Sequence, residues 1–350
     1  MLGVPGPDDD FWYNAAPGGS TWAGNRVSEE SSLQSVAVYA CNRILSETIA
    51  SLSRGIYRYS TRKGKVSVPN HPLNSVISLQ ANQHQTAFEF WEYLDSSWNL
   101  WGNAYALPEY LENNGVDVVG LHALDPCRMQ VSGYFDKNGV LVMRGYKYST
   151  PGSRQVDLEE SQVWHIPGFG FDGVKGYSPI QLLRQSIGEG LAAEEYASRF
   201  YANNAAPRMY VSQPNKLGNE ARENLTKWFK DNFGGLANAH KLGVLEGGGE
   251  IKVVPVNHRD VQFLETRKFN LEQIARIFRV PLHLIQSLDH ATNNNIEHQG
   301  IGYVIHSVRP KVVRYEQRLD LLLRPSERAR YSVEFNLEDL MRGDLQARAE

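Results

Sequence analysis

Two long helical patterns bracketing a short independent segment constrain this chain more than any other feature. The first opens at Ser178-Pro179. Serine is a favoured N-cap, proline is tolerated at the first helical position, and Gln181 stands where a capping box needs its acceptor. Ile180, Leu183, Ile187 and Leu191 follow at helical spacing, and the pattern runs over residues 178–203. The second covers residues 260–280. It carries Leu264, Leu271 and Phe278 seven apart with Ile274 between them, and Pro281 ends it. A helix of the first one's length spans roughly 36 Å. The pair therefore reads as a strut, with residues 204–258 at its tip. Gly188 and Gly190 sit inside the first helix, at a cost of about 1 kcal/mol each against alanine. Close packing against a neighbouring helix is the simplest compensation.

The segment at the tip is a small α/β unit: a strand at "RMYVSQP", a helix at 219–233 with Leu225, Trp228 and Phe229 inward, and a hairpin around Gly247, Gly248 and Gly249. Upstream, residues 1–32 are rich in Gly, Pro, Ser and Asp and read as a loose arm. Ser31-Ser32 can cap a helix from about Leu33, with Val36, Tyr39, Ile44 and Ile49 near one face. "RGIYRYS" and "GKVSVPN" read as a hairpin. Thr86 starts a helix carrying Phe90, Trp91, Leu94, Trp98 and Trp101, and Gly102-Asn103 stops it. Residues 103–166 are β-like. Helices followed by a run of strands make an α+β first unit.

Downstream, three consecutive asparagines, Asn293, Asn294 and Asn295, interrupt the apolar pattern, and Asn294 with Glu297 forms a capping box. The next helix carries Ile301, Val308, Tyr315 and Leu322, interleaved with Ile305, Val312 and Leu319. Pro310 should kink it.

The chemistry-bearing motifs are sparse. Gly168, Gly170 and Gly173 match G-x-G-x-x-G after a strand, but the next helix signal comes five residues late, and no strand ending in an acid follows. A glycine-rich connector fits better than a nucleotide site. His283, His290, His298 and His306 have no carboxylate or cysteine partners in a zinc pattern, so they read as exposed or capping residues, and no metal or other cofactor is expected. No G-x-S-x-G elbow or P-loop occurs, and no enzyme is expected. The two cysteines, Cys41 and Cys127, form neither a disulfide framework nor a zinc set. No run of apolar residues is long enough to span a membrane, so no membrane partner is expected. The net charge is -3. Proteins that hold nucleic acid by its phosphates are usually strongly basic, so any role on DNA must work without a strong grip.

Taken in order, several stretches resemble the tailed-bacteriophage portal proteins of the HK97 type: "VAVYACNRILSETIASL", "WNLWGNAYALPEY", "LDPCRMQV", "VWHIPGFGFDGVKGYSPIQLLRQSI", "LETRKFNLEQIARIFRVPLHLI", "NNNIEHQGIGYVIHSVRPKVVRYEQRL" and "EFNLEDLMRGDLQARA". They cover most of residues 33–350. Arg279 stands where the family usually has a glycine before "VP". The resemblance implies a ring-forming α+β subunit with the portal fold. Residues 33–177 would form the wing, 178–203 and 259–281 the long-helix stem, and 204–258 the clip. Residues 282–297 would form the tunnel loop, 298–324 a kinked wing helix, and 325–350 the wing end and the start of a crown.

It further implies a homo-oligomeric ring, commonly a dodecamer, at one capsid vertex of the virion, assembled in the host cytoplasm. Double-stranded DNA would enter through the bore, driven by the terminase large subunit, and leave through it on ejection. The major capsid protein and head-completion or adaptor proteins would be further partners. Within this frame the tunnel loop offers Thr292, Asn293, Asn294 and Asn295 to the duplex. Asparagine can touch phosphates and water without a charge, so DNA would slide rather than stick. Arg184, Glu194, Arg199, Arg267, Lys268 and Arg276 would be stem residues at subunit contacts or on the channel wall, although such alternating charges on one helix are usually just an exposed face. Gly247, Gly248 and Gly249 are the exposed clip tip that terminase would meet. Two other readings compete: a nucleotide-binding enzyme using Gly168–Gly173, and a scaffold or adaptor ring that never meets DNA.

Overall fold

The computed structural model describes residues 21–60, 64–111, 117–152, 154–170, 173–202, 209–212, 218–233, 250–253, 259–286, 293–338 and 340. Among the described residues the first helices are a short α1 (Glu29–Ser32) and a long α2 (Val36–Ser51). Strands β1 (Arg54–Ser60) and β2 (Gly64–Ser67) follow, then helix α3 (Pro72–Ser78), the small strands β3 (Gln80–Asn82) and β4 (Gln85–Thr86), and helix α4 (Ala87–Trp101). Six strands come next: β5 (Asn103–Tyr110), β6 (Val118–Leu124), β7 (Met129–Phe135), β8 (Leu141–Ser149), β9 (Gln155–Leu158) and β10 (Trp164–Pro167). They form two three-stranded sheets, ordered β10-β5-β6 and β7-β8-β9, and all their pairings are antiparallel.

The second half carries α5 (Pro179–Leu182), α6 (Arg184–Ala202), β11 (Met209–Ser212), α7 (Asn219–Phe233), β12 (Glu250–Val253) and α8 (Arg259–Phe278). A 3-10 turn (Leu282–Ile285) leads towards α9 (Asn293–Tyr303). A π-helical segment (Val304–Val308) joins α9 to α10 (Arg309–Asp320), and strand β13 (Tyr331–Phe335) returns to pair with β1. The result is an α+β fold.

Helix α4 is built as its sequence requires. Thr86 accepts from the Glu89 N–H while the Glu89 carboxylate accepts from the Thr86 N–H, and Gly102 closes the helix with φ 68°. Its face of Phe90, Trp91 and Leu94 is fully buried. Trp91 meets Trp164, Tyr315 and Phe335 edge-on or tilted at 5.3–6.2 Å between centroids. One core therefore joins α4 to strands and helices from both ends of the chain.

Helix α2 is phased differently from the expectation. Val36 and Tyr39 are 74% and 51% exposed, whereas Val38, Cys41, Leu45 and Ile49 form the buried stripe. The helix carries two apolar stripes, and only tertiary packing chooses between them. Its start also differs, because Ser28 caps the separate turn α1 and Ser35 precedes α2.

Between α2, α4 and α10 the core is polar. Lys311 Nζ lies 2.9 and 3.1 Å from the two oxygens of Asp95. It also contacts Asn99 Oδ1. Tyr315 donates its hydroxyl to Asp95 at 2.5 Å, and Asn99 Nδ2 donates to Asp95 at 2.8 Å and to Asn42 at 3.0 Å. Such a network tolerates burial only because each member finds partners.

The glycine-rich connector is a site of close backbone approach. The Gly168 N–H donates to the Gly102 carbonyl at 2.7 Å. A Cβ on Gly168 would lie 2.6 Å from that oxygen, and one on Gly170 would lie 2.4 Å from the Lys175 carbonyl. The N–H that a phosphate would need at Gly168 is thus already spent. These glycines serve packing, as the connector reading expects.

Candidate nucleic-acid interface

Helix α5 is capped by Ser178, whose hydroxyl accepts from the Gln181 N–H at 3.2 Å. The capping box is only half formed. Gln181 sends its side-chain amide to the Glu29 carboxylate at 3.0 Å instead of back to the cap. Glu29 also accepts from the Ser178 hydroxyl at 2.8 Å. The helix expected over 178–203 then breaks at Leu183, with φ -112° and ψ 15°, into α5 and α6.

The compensation for the helical glycines differs from the expectation as well. A Cβ on Gly188 would meet the Thr21 side chain at 2.5 Å, so its partner is the N-terminal arm. Trp22 continues the strap by donating its N–H to Gln185 at 3.0 Å. Gly190 does face α8, with Asn270 at 4.0 Å from the Cβ position. Helices α6 and α8 pack together, and α8 also packs on α2.

Helix α8 ends in a Schellman motif. Val280 N–H donates to Ala275 at 2.9 Å and Arg279 N–H to Arg276 at 3.2 Å. The left-handed residue of the motif is Arg279, with φ 55°. Glycine normally fills this position because a Cβ there costs about 1–2 kcal/mol. The Arg279 carbonyl is held by the Ser307 hydroxyl at 2.5 Å. Ser307 lies in the π-helical segment, so the break expected from Pro310 takes the form of a π-turn just before that proline.

Beyond Pro281, Leu284 and Ile285 pack onto the main core. His283 Nδ1 and Gln299 Oε1 are 3.0 Å apart, which brings the two flanks of residues 287–292 within one hydrogen bond. Sequence reasoning missed the Ser307 and Gln299 contacts. The arginine at a glycine position was their only signal.

The expected site residues distribute as follows. Asn293, Asn294 and Asn295 form the first turn of α9, so the helix begins one residue before the expected cap; Thr292 and the asparagine side chains lie outside the described residues. Arg184 opens α6 beside the cleft lined by Trp22, Glu29 and Trp101. Glu194 is half-buried on α6 and Lys268 is exposed on α8. Arg276 is exposed and pairs with Glu272 one turn away at 3.0 Å. An exposed pair of that spacing contributes about 0.3–0.5 kcal/mol. Arg199 and Arg267 fall on α6 and α8, with side chains outside the described residues, as are Gly247, Gly248 and Gly249. Immediately after those glycines, β12 pairs with β11 across α7. The other half of the expected hairpin, residues 241–246, is outside the described residues. Among the described residues no three His, Cys, Asp or Glu side chains gather as a metal cluster, and no helix is long and apolar enough to cross a membrane.

The α6–α8 pair, the β11–α7–β12 insert and the α+β unit before them make a fold shared with solved neck and portal structures. The structure is similar to a chain in the neck of an empty gene transfer agent particle computed with C6 symmetry, with a TM-score of 0.65 and 22% identity over 96% of this chain and 92% of that one. It is also similar to the crystal structure of an HK97 family phage portal protein from Corynebacterium diphtheriae, with a TM-score of 0.64 and 16% identity over 89% of this chain and 96% of that one. At these identities the likeness shows the fold.

The sequence carries the rest. The phage portal protein family matches residues 36–350, and this chain belongs to it. It is 31% identical to the portal protein of Enterobacteria phage HK97 over 92% of this chain and 75% of that protein. It is equally identical to the "Probable portal protein" of Streptomyces phage phiC31, over 98% of this chain and 75% of that protein.

Proposed function

We propose that copies of this chain close into a ring at one capsid vertex and form the conduit for double-stranded DNA during packaging and ejection. The observation that carries this reading is the family match over residues 36–350, which includes both stem helices and the insert between them. A related neck, that of a native gene transfer agent particle, was computed with C12 symmetry, which supports a dodecamer. The terminase large subunit meets the clip at the tip bearing Gly247, Gly248 and Gly249. The major capsid protein and head-completion proteins hold the ring in the virion after its assembly in the host cytoplasm. The role is structural and uses no catalysis or cofactor.

Thr292 and Asn293, Asn294 and Asn295 line the path of the duplex. DNA carries one charge per roughly 1.7 Å of axis, so a cationic collar would bind and stall it, whereas a neutral polar one lets it pass. The chain's net charge of -3 fits a wall that does not hold a polyanion. In a packaging reaction, Asn293→Lys, Asn294→Lys and Asn295→Lys combined should slow or stop DNA uptake while rings still assemble. Unchanged uptake would remove these residues from the DNA path.

A further inference from the structure

The buried polar cluster between α2, α4 and α10 places an amine, a carboxamide and a carboxylate in mutual hydrogen-bonding contact. The Lys311 amine touches Asn99 Oδ1, one bond from the carboxamide carbon. Asp95 Oδ2 is 2.9 Å from that amine and 2.8 Å from Asn99 Nδ2, so one carboxylate oxygen touches both the attacking and the departing nitrogen. The other oxygen, Oδ1, accepts the Tyr315 hydroxyl at 2.5 Å. The carboxamide nitrogen also donates to Asn42 Oδ1 at 3.0 Å and to Ser46 Oγ at 3.4 Å. All three reacting groups are shielded from water: Asp95, Asn99 and Lys311 are 0%, 3% and 7% exposed. The amine also lies 4.9 Å from the centre of the Trp98 ring.

We infer that the folded chain joins Lys311 to Asn99 through an isopeptide bond, with Asp95 carrying the proton. The neutral Nζ attacks Cγ of Asn99, and the Nζ–Cγ bond forms. Asp95 takes a proton from Nζ and passes it to Nδ2. The Cγ–Nδ2 bond breaks and ammonia leaves. Nothing is oxidised or reduced, and no co-reactant is needed. Burial works towards the reactive form, because desolvation lowers the lysine's basicity even against the pull of Asp95. Holding the groups in contact converts a slow bimolecular aminolysis into an intramolecular one, and a carboxylate within hydrogen-bond reach of both nitrogens is placed for general acid–base work. The product would tie α4 to α10 across 212 residues of sequence.

Intact-mass measurement of the purified full chain, followed by peptide mapping, tests this. The expected result is a chain lighter by one ammonia, with a branched peptide joining residues 99 and 311. Lys311→Arg, which keeps a hydrogen-bond donor beside Asp95 but offers no attacking amine, should restore the full mass, and Asp95→Asn should restore it in most molecules. A wild-type chain of full mass overturns the proposal. So does a loss of water mapped to Asp95, or an ammonia loss that persists in Lys311→Arg.

Discussion

Lys311 Nζ sits 2.9 Å from an Asp95 carboxylate oxygen in the buried core, 216 positions away in sequence. The pair joins α4, which precedes the first strand of the β10-β5-β6 sheet, to α10, which follows α6, α8 and the 3-10 turn. Losing Lys311 leaves the buried Asp95 carboxylate without its partner and also removes the tie between α4 and α10 inferred above. Lys311→Met should therefore lower stability by about 3–5 kcal/mol. Chemical denaturation of the mutant and wild type would read this as a shifted midpoint, and an unshifted midpoint would show that the cluster carries no net stability.

Arg279 supplies the opposite case, a position where a substitution should help. Its left-handed φ of 55° is imposed by the Schellman end of α8 and fixed by Ser307. Arg279→Gly should raise stability by about 1 kcal/mol, because glycine adopts this conformation at no steric cost. Arg279→Val, β-branched at the same dihedral, should lower it. Thermal unfolding of the two variants beside the wild type decides the sign.

These two sites also mark how far the sequence could be read. The Trp-rich face of α4, its caps and the helix start at Ser178 were legible, because each rests on local chemistry: a capping residue, a helical period or a glycine stop. Asp95, Asn99 and Lys311 were not singled out, since polar residues inside an apolar period look solvated until a distant partner arrives. The exposed phase of α2, with Val36 and Tyr39 outside, failed for a related reason: two apolar stripes compete on one helix. Strand β13 pairs with β1 from the far end of the chain, and no local pattern encodes that register. Among the site residues, Arg276 resolves into an ion pair within its own helix. Gly188 answers to Thr21 in the arm, a contact that no helical periodicity announces.

His165 gives the fold an acid sensitivity. It is buried, stacks on Tyr105 with ring centroids 4.5 Å apart, and shares hydrogen bonds with Tyr146 and Asn103. Burial first, then the charges of Arg144 and Arg318, hold its imidazole well below the ordinary value of 6.5. The unfolded chain therefore binds a proton that the folded chain refuses. The stability tied to this histidine is fully present above pH 6.5 and is lost progressively as the pH falls below it. His165→Gln should unfold with a flatter dependence between neutral and mildly acidic pH than the wild type. Parallel slopes for the two proteins would contradict this assignment.

The ring itself is the central claim, and direct imaging of the purified full chain by negative-stain or cryogenic electron microscopy tests it most plainly. The account predicts closed rings of subunits around an opening wide enough for a double helix. Particles that stay monomeric or open under capsid-like conditions, or rings whose opening is narrower than duplex DNA, would contradict it.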